Sequence, residues 1–501
     1  MTADRERAVP HGLPLAALAT AALVASAGGA ACLGAKPSLV VTLEALAFLP
    51  YALLVQRSVA LPVRASMAFA ALSAIPALAA PPVLSDDLFR YLWDGRLLLH
   101  GISPYALAPD DPSLAPLRDE AFAHLNHTGI ATIYPPFAAL LFALASPLGV
   151  LGPKLLALLA HLAATPIVAG LAGSRRCEAA LVHALCPLAL VETALAGHVD
   201  AVAGAFLALA VLSLAQARPV RAAWAAGFAT ATKLVGLLLL PMLAVRDRRA
   251  TALLLGLALL SVAPLVTAGG STERAGLGHY ARRWRGNDGL YGVVEATVAA
   301  GLAACCETTP RRVSLPGLAS YERLVRGTPL DPRHTFLGPK KEPSRATDVH
   351  LDSIAPFLAR ALVAATIAVF ALVLARRRVE PLLATRHLVL AALLLAPQVH
   401  PWYLLVLLPL EAASGRLAGL VFAASALVAY APLDGWLAER TWDEPLLGRL
   451  FEHGIVLAVV VAEGLGLVAP LSASACRGPA ATSGDRSPGS PPAPVGSAGP
   501  G

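Results

Sequence analysis

Residues 152–173 read GPKLLALLAHLAATPIVAGLAG, a run broken by one charged side chain, Lys154, and one histidine, His161. At 1.5 Å per residue, about 20 apolar residues carry a helix across the hydrocarbon of a bilayer, so this run is long enough to span. Comparable stretches lie at roughly 12–34, 38–56, 65–83, 134–150, 177–195, 200–217, 222–245, 250–268, 289–306, 353–375, 384–399, 401–413, 417–433 and 453–472. Several are short for a full crossing, which sets the expectation at about 11–14 spans. The fold class that follows is all-α, a polytopic transmembrane helix bundle.

Composition agrees. The chain of 501 residues is 57% hydrophobic and 14% charged, whereas soluble domains are about 25% charged. Its net charge of +7 points away from nucleic acid, because the basic residues fall mostly between apolar runs, where they anchor cytoplasmic loops. The six cysteines have no metal-binding spacing and read as small apolar fillers. The first apolar run is expected to be a retained helix rather than a cleaved signal, given the similar runs after it.

The body is expected to occupy residues 1–472, with external loops at about 84–133, 270–288 and 307–352, and a disordered tail of Gly, Pro, Ser and Ala over 473–501. Neither long insertion, 84–133 or 307–352, has the apolar periodicity of a second core. The first carries Asp86, Asp87, Asp94, Asp110, Asp111, Asp119 and Glu120 against three arginines, which makes it the loop least suited to the cytoplasm. Arginine clusters at Arg175 and Arg176, at Arg218 and Arg221, at Arg246, Arg248 and Arg249, and at Arg376 to Arg378 mark inner turns. The turns around His198, around residues 270–288 and around His400 then fall on the outer face. Two runs strain this topology: 134–173 looks like two helices where one crossing is needed, and 222–245 like one where an even number is. Re-entrant segments would repair both.

The densest polar text is Ser85-Asp86-Asp87-Leu88-Phe89-Arg90-Tyr91-Leu92-Trp93-Asp94-Gly95-Arg96, placed where the third span ends. As a helix it puts Asp87, Arg90, Tyr91 and Asp94 on one face. Adjacent carboxylates at a membrane boundary are costly to leave unpaired. Two readings stand: Asp86 caps the helix while Asp87 pairs with Arg90, or the pair supplies a general base with an orienting or metal-binding partner.

Further on come Gly101-Ile102-Ser103-Pro104-Tyr105 and Thr132-Ile133-Tyr134-Pro135-Pro136. Together with the acidic pair, this order resembles the first external loop of GT-C type glycosyltransferases, specifically bacterial mannosyltransferase-like members that use polyprenyl-phosphate sugars. The resemblance continues through Cys186-Pro187-Leu188, Glu192-Thr193 and Gly197-His198-Val199-Asp200, departing at Val199, where asparagine is common. Tyr280, Trp284, Asn287 and Asp288, then His400-Pro401-Trp402-Tyr403, are similar to later signatures of that family. The similarity covers roughly residues 80–410.

The resemblance implies an integral-membrane, inverting transferase that moves a hexose, mannose by family, from a polyprenyl-phosphate carrier to a glycan or lipid acceptor outside the cytoplasm, at the cell membrane. Phosphate leaves such a donor without needing a proton, so the demand is a base for the acceptor hydroxyl and cations for the developing charge. Asp87 or Asp86 is the expected base, with Asp200 as the second carboxylate. Asp86 and Asp87 would also hold a divalent metal ion, if one is used. Lys233, His400, Arg282 and Arg283 are expected at the donor phosphate; for Lys233 the rivals are snorkelling or pairing with Glu192. Arg90, Trp93, Asp94, Tyr105, His198, Asn287, Asp288 and Trp402 are expected around substrate, with Trp93 and Trp402 stacking on sugar. His161, His183 and Glu411 read as buried, hydrogen-bonded residues. A secondary transporter or lipid-carrier flippase is the alternative, yet it should show related halves with midplane ionisable groups, and the chain has no internal repeat.

Overall fold

The computed structural model describes residues 12–267, 276, 280, 284–309, 312–314, 348–439 and 441–471. Helices α1 (Gly12–Cys32), α2 (Pro37–Gln56) and α3 (Val63–Ala79) precede α4 (Asp87–Leu99), which heads the first long insertion. Helices α5 (Pro136–Ala145), α6 (Leu151–Ala172), α7 (Arg176–Ala184), α8 (Pro187–Ala194), α9 (Asp200–Ala215), α10 (Pro219–Lys233), α11 (Leu240–Ala244) and α12 (Arg248–Thr267) follow. The second half holds α13 (Gly289–Cys306), α14 (Leu351–Arg376), α15 (Pro381–Leu394), α16 (Leu408–Ser414), α17 (Ala418–Ser425), α18 (Leu433–Glu439) and α19 (Leu446–Gly464). The protein is an all-α, multi-pass bundle: seven helical stretches among the described residues are long and apolar enough to cross a membrane, with five shorter apolar helices beside them. Leucines such as Leu144, Leu259 and Leu447 point outward, exposed, as expected where lipid is the solvent.

Proline at the first turn starts α2, α5, α8, α10 and α15, where its missing N–H costs no hydrogen bond. The run 222–245 is two pieces. α10 stops at Leu234, which takes φ +61°, and a 3₁₀ turn leads into α11. The run 134–173 is likewise the short α5 and the long α6, joined by a 3₁₀ turn at Ser146–Leu148. Interruptions are therefore present at both places where the topology was strained.

The first insertion differs from expectation in having a small core of its own. Trp93, Leu97, Leu114 and Leu125 are buried together, with Phe89, Ile102, Leu107, Leu117 and Phe122 against them. Its two 3₁₀ turns, Pro112–Leu117 and Glu120–His124, have neither the 3.6 nor the 2.0 period, so no apolar pattern announces them. In the second insertion β1 (Glu307–Thr309), β2 (Arg312–Ser314) and β3 (Asp348–His350) form an antiparallel sheet in that order. Val313 packs there with Ile354, Leu302 and Cys306.

Helix α4 is held onto α5 by close backbone approach: a Cβ at Gly95 would overlap the Phe142 carbonyl. We expect Gly95→Val to loosen this docking at a cost of about 1–3 kcal/mol. A fall in the thermal midpoint of the detergent-solubilised protein would register it, and an unchanged midpoint would show that the contact yields freely.

In the bundle interior Arg386 forms a bidentate pair with Glu411 (2.7 and 2.9 Å) and reaches Glu463 at 2.7 Å. Glu411 also accepts from the Gly419 N–H (2.8 Å), and Glu463 from the Leu417 N–H (2.7 Å). The trio ties α15, α16, α17 and α19 together. Glu411 is thus the buried, bonded residue expected. His161 bonds the Ala184 carbonyl and His183 the Thr165 hydroxyl, each at 3.2 Å, so both histidines are likewise accounted for.

Candidate functional site

Five segments converge beside the first insertion: the start of α4, the start of α5, the α8–α9 turn with α9, the end of α10, and residues 397–403. Gly197, with φ +75°, makes the turn that lets α9 begin directly at Asp200. A Cβ there would press on Leu88 and Lys154, so the turn seats against α4 and α6. Asp200 is buried and takes the Lys233 ammonium at 2.9 Å. Lys233 therefore pairs with Asp200 and not with Glu192. Its Nζ also lies 4.9 Å from the Tyr403 ring centre and 5.6 Å from that of Tyr134, a cation–π setting that holds the charge in a partly dry place.

Asp87 is half-buried and accepts from the Tyr134 hydroxyl at 3.4 Å. Burial raises its carboxyl above the ordinary 3.8; the Lys233 charge pulls the other way, and the Asp200 charge adds to the rise. Asp87, Asp200 and Lys233 therefore act on one another as a single electrostatic group. The Tyr280 and Tyr403 hydroxyls bond each other next to Lys233, closing the far side.

Asp86 has a different setting. It makes no cap bond to its helix and accepts from Asn126 Nδ2 at 2.6 Å. Arg90, for its part, pairs with Asp94 (3.2 Å) and donates to the Ile130 carbonyl (2.6 Å). The capping and Asp87–Arg90 pairings weighed from the sequence are both replaced. The two carboxylates also serve different partners, and no group of three or more His, Cys, Asp or Glu among the described residues is arranged to hold a metal ion. The Asp86–Asp87 pair does not fit a metal site here, and no step below is routed through one.

Several residues expected around substrate turn out to hold the site's walls. Asp94 is buried, bonded by Arg90 and the Thr132 hydroxyl, so the clip Arg90–Asp94–Thr132 fixes α4 to the returning strand of chain. Tyr105 donates to the Tyr134 carbonyl at 3.1 Å. Trp93 is packed in the insertion's own core, 5.0 Å from Phe122, and has no face for a sugar. Trp402 has none either: His198 lies flat on one side at 4.1 Å and 7°, His400 on the other at 4.2 Å and 6°. His198 itself is fully buried. Burial and the Lys233 charge push His400 down to about 3, so it is a neutral imidazole at physiological pH, able to donate one hydrogen bond but carrying no charge for a phosphate.

Asn287 and Asp288 are also engaged. Asn287 Nδ2 donates to Glu452 (2.9 and 3.0 Å) and the Val399 carbonyl (3.3 Å). Asp288 takes Arg449 at 2.8 Å and also Arg285. They staple residues 284–288 to α19 and, through the Gly286–Gln398 bridge, to the segment leading into His400. Arg282 and Arg283 lie outside the described residues.

The residues that sequence reasoning passed over are hydroxyls: Tyr134, Tyr280 and Tyr403, with the amide of Asn126. Tyr134, Tyr280 and Tyr403 all sat inside recognised motifs, beside prolines, tryptophans and charged residues that drew attention instead. For Asn126 no signal existed.

Residues 8–247 match the family model described as "Alpha-(1->6)-mannopyranosyltransferase, N-terminal domain", of the MptA_B family. No curated protein and no solved structure matches the chain. The match contains Asp87, Asp200 and Lys233, while Tyr280, His400 and Tyr403 lie beyond it. Over residues 8–247 the multi-pass protein is thus similar to the MptA_B mannosyltransferases, a GT-C-type family, and this similarity supports a glycosyltransferase activity.

Proposed function

We propose that the protein transfers mannose from a polyprenyl monophosphate carrier to a glycan or lipid acceptor on the outer side of the cell membrane, with inversion at the anomeric carbon. The observation that carries this reading is the grouping of a half-buried Asp87, bonded by the Tyr134 hydroxyl, with the Lys233–Asp200 ion pair. In the reaction Asp87 takes the proton of the acceptor hydroxyl as its oxygen bonds C1. The C1–O bond to phosphate breaks with its electron pair, and the phosphate departs as an anion. Lys233, a desolvated point charge, is the cation suited to that anion, and Asp200 holds the ammonium in place until the donor arrives.

A single displacement needs only one carboxylate in contact with the acceptor, which agrees with Asp200 being occupied by Lys233. The remaining residues position: the Arg90–Asp94–Thr132 clip holds Asp87's helix, and Tyr280 and Tyr403 border Lys233.

The test is transfer from synthetic polyprenyl-phosphate mannose by purified protein in lipid nanodiscs, with the product anomer read by NMR. An inverted product supports the reading; a retained anomer, or no transfer from any lipid-phosphate hexose, defeats it. Lys233→Met leaves Asp200 buried without its cation, so its fold is checked by thermal unfolding; the folded variant should lower kcat/KM for the donor about 10²–10³-fold, the scale of removing one group that stabilises developing charge. Wild-type kcat/KM in that variant would remove Lys233 from the phosphate.

A further inference from the structure

Residues 305 and 306 are the one place in the chain where two cysteines adjoin, and the structure gives them different settings. Cys305, at the end of α13, is exposed, while Cys306 is half-buried and packs against the small core of Val313 and Ile354 between the sheet and α14. Their Sγ atoms are in direct contact, 2.6 Å apart, and both thiols are free. The other free cysteines among the described residues are set differently: the Cys32 thiol faces the Pro76 carbonyl at 3.3 Å, and Cys186 is buried. Small apolar filler describes Cys186, but not an exposed thiol that touches a second one.

Consecutive Cα atoms are about 3.8 Å apart across a trans peptide, below the roughly 4.4–6.8 Å that an ordinary disulfide bridges. A bond between these two sulfurs therefore closes a tight ring and bends the peptide joining α13 to β1. That junction is already irregular, since the pairing of β1 with β2 shifts register between Glu307 and Thr309. Strained and exposed disulfides are the readily exchanged ones, whereas structural ones resist reduction. An accessible thiol beside a second thiol that can displace its adduct is the arrangement of redox-responsive cysteines. With Arg376 to Arg378 at an inner turn, α14 runs from the sheet inward, so the pair lies on the outer side, where disulfides persist.

We propose that Cys305 and Cys306 form a thiol–disulfide exchange site for an external disulfide, with Cys305 as the entry thiol and Cys306 as the resolving one. The Cys305 thiolate attacks one sulfur of the external disulfide; a mixed disulfide forms on Cys305 and one thiolate leaves. The Cys306 thiolate then attacks Cys305 Sγ, closing the ring disulfide and expelling the second thiolate. The two cysteines lose two electrons, the external disulfide gains them, and the two thiol protons end on the two released thiolates. The exchange uses none of the residues of the sugar transfer, so either can fail while the other stands.

Mass spectrometry of the whole protein in nanodiscs tests this. Wild type is reduced, exposed to oxidised glutathione, capped with N-ethylmaleimide and digested with trypsin, which leaves both cysteines in the peptide 286–311. That peptide should be lighter by two hydrogens and carry neither glutathione nor maleimide; after reduced glutathione is added and removed, it should take two maleimides. In Cys306→Ser the glutathione adduct on Cys305 should persist, and in Cys305→Ser the adduct on Cys306 should form at least about tenfold more slowly, because access governs the rate of attack. A wild-type peptide that keeps a glutathione adduct, or takes two maleimides straight after the oxidant, overturns the proposal, as does a bond from either cysteine to one elsewhere in the chain. Equal adduct rates in the two variants overturn the assignment of entry and resolving thiols.

Discussion

Asp87→Asn is expected to lower kcat by about 10²–10⁴-fold, the range for losing a positioned general base, with donor KM little changed. The amide still accepts from Tyr134 but cannot take the acceptor's proton. Asp86→Asn, whose partner is Asn126, should fall within about tenfold of wild type. Activity also carries a pH signature. The base form of Asp87 is the ionised one, burial raises its titration above the ordinary 3.8, and kcat/KM should therefore drop as pH falls through that raised value. Lys233 opposes the rise, so in Lys233→Met the remaining activity should lose its acid limb at still higher pH. A pH–rate profile of both proteins measures this. An Asp87→Asn variant with wild-type turnover would falsify the assignment outright.

The second large effect concerns the scaffold. Arg386→Met removes the one cation of the Arg386–Glu411–Glu463 trio and leaves two buried carboxylates whose remaining partners are the backbone N–H groups of Gly419, Leu417 and Ala418. Breaking a buried ion pair by removing one partner costs about 3–5 kcal/mol, enough to abolish the folded state of a marginal protein. Arg386→Lys should recover part of this, since it restores charge but not the bidentate fork to Glu411. Thermal unfolding in a fixed detergent ranks the three proteins; equal midpoints for wild type and Arg386→Met would show that the trio contributes nothing to stability.

How much could be read beforehand depended on the range of the interaction. Apolar runs report local helices, and the bundle follows from them. Asp87 and Asp200 stood out because each sits at the edge of an apolar run, and Lys233 because it lies inside one, where a charge needs a reason. Their mutual pairing was not legible: Glu192 was the carboxylate weighed for Lys233, whereas the ammonium is taken by Asp200. The Tyr430–Glu192 bond joins residues 238 positions apart, and nothing in either local sequence points to the other. The insertion's core was missed because 3₁₀ turns leave no period. Trp402 was misjudged for a simpler reason, since a motif shows that a ring is present but not whether its faces are already covered.

That covering has a mechanical consequence. His198, Trp402 and His400 form a laminate of three parallel rings, fixed from two different stretches of chain. The His198 nitrogens face Tyr91 and Glu192, so the stack works as a clamp. The turn that begins α9 at Asp200 and the segment that carries Tyr403 are gripped ring on ring, and neither can shift without unstacking Trp402.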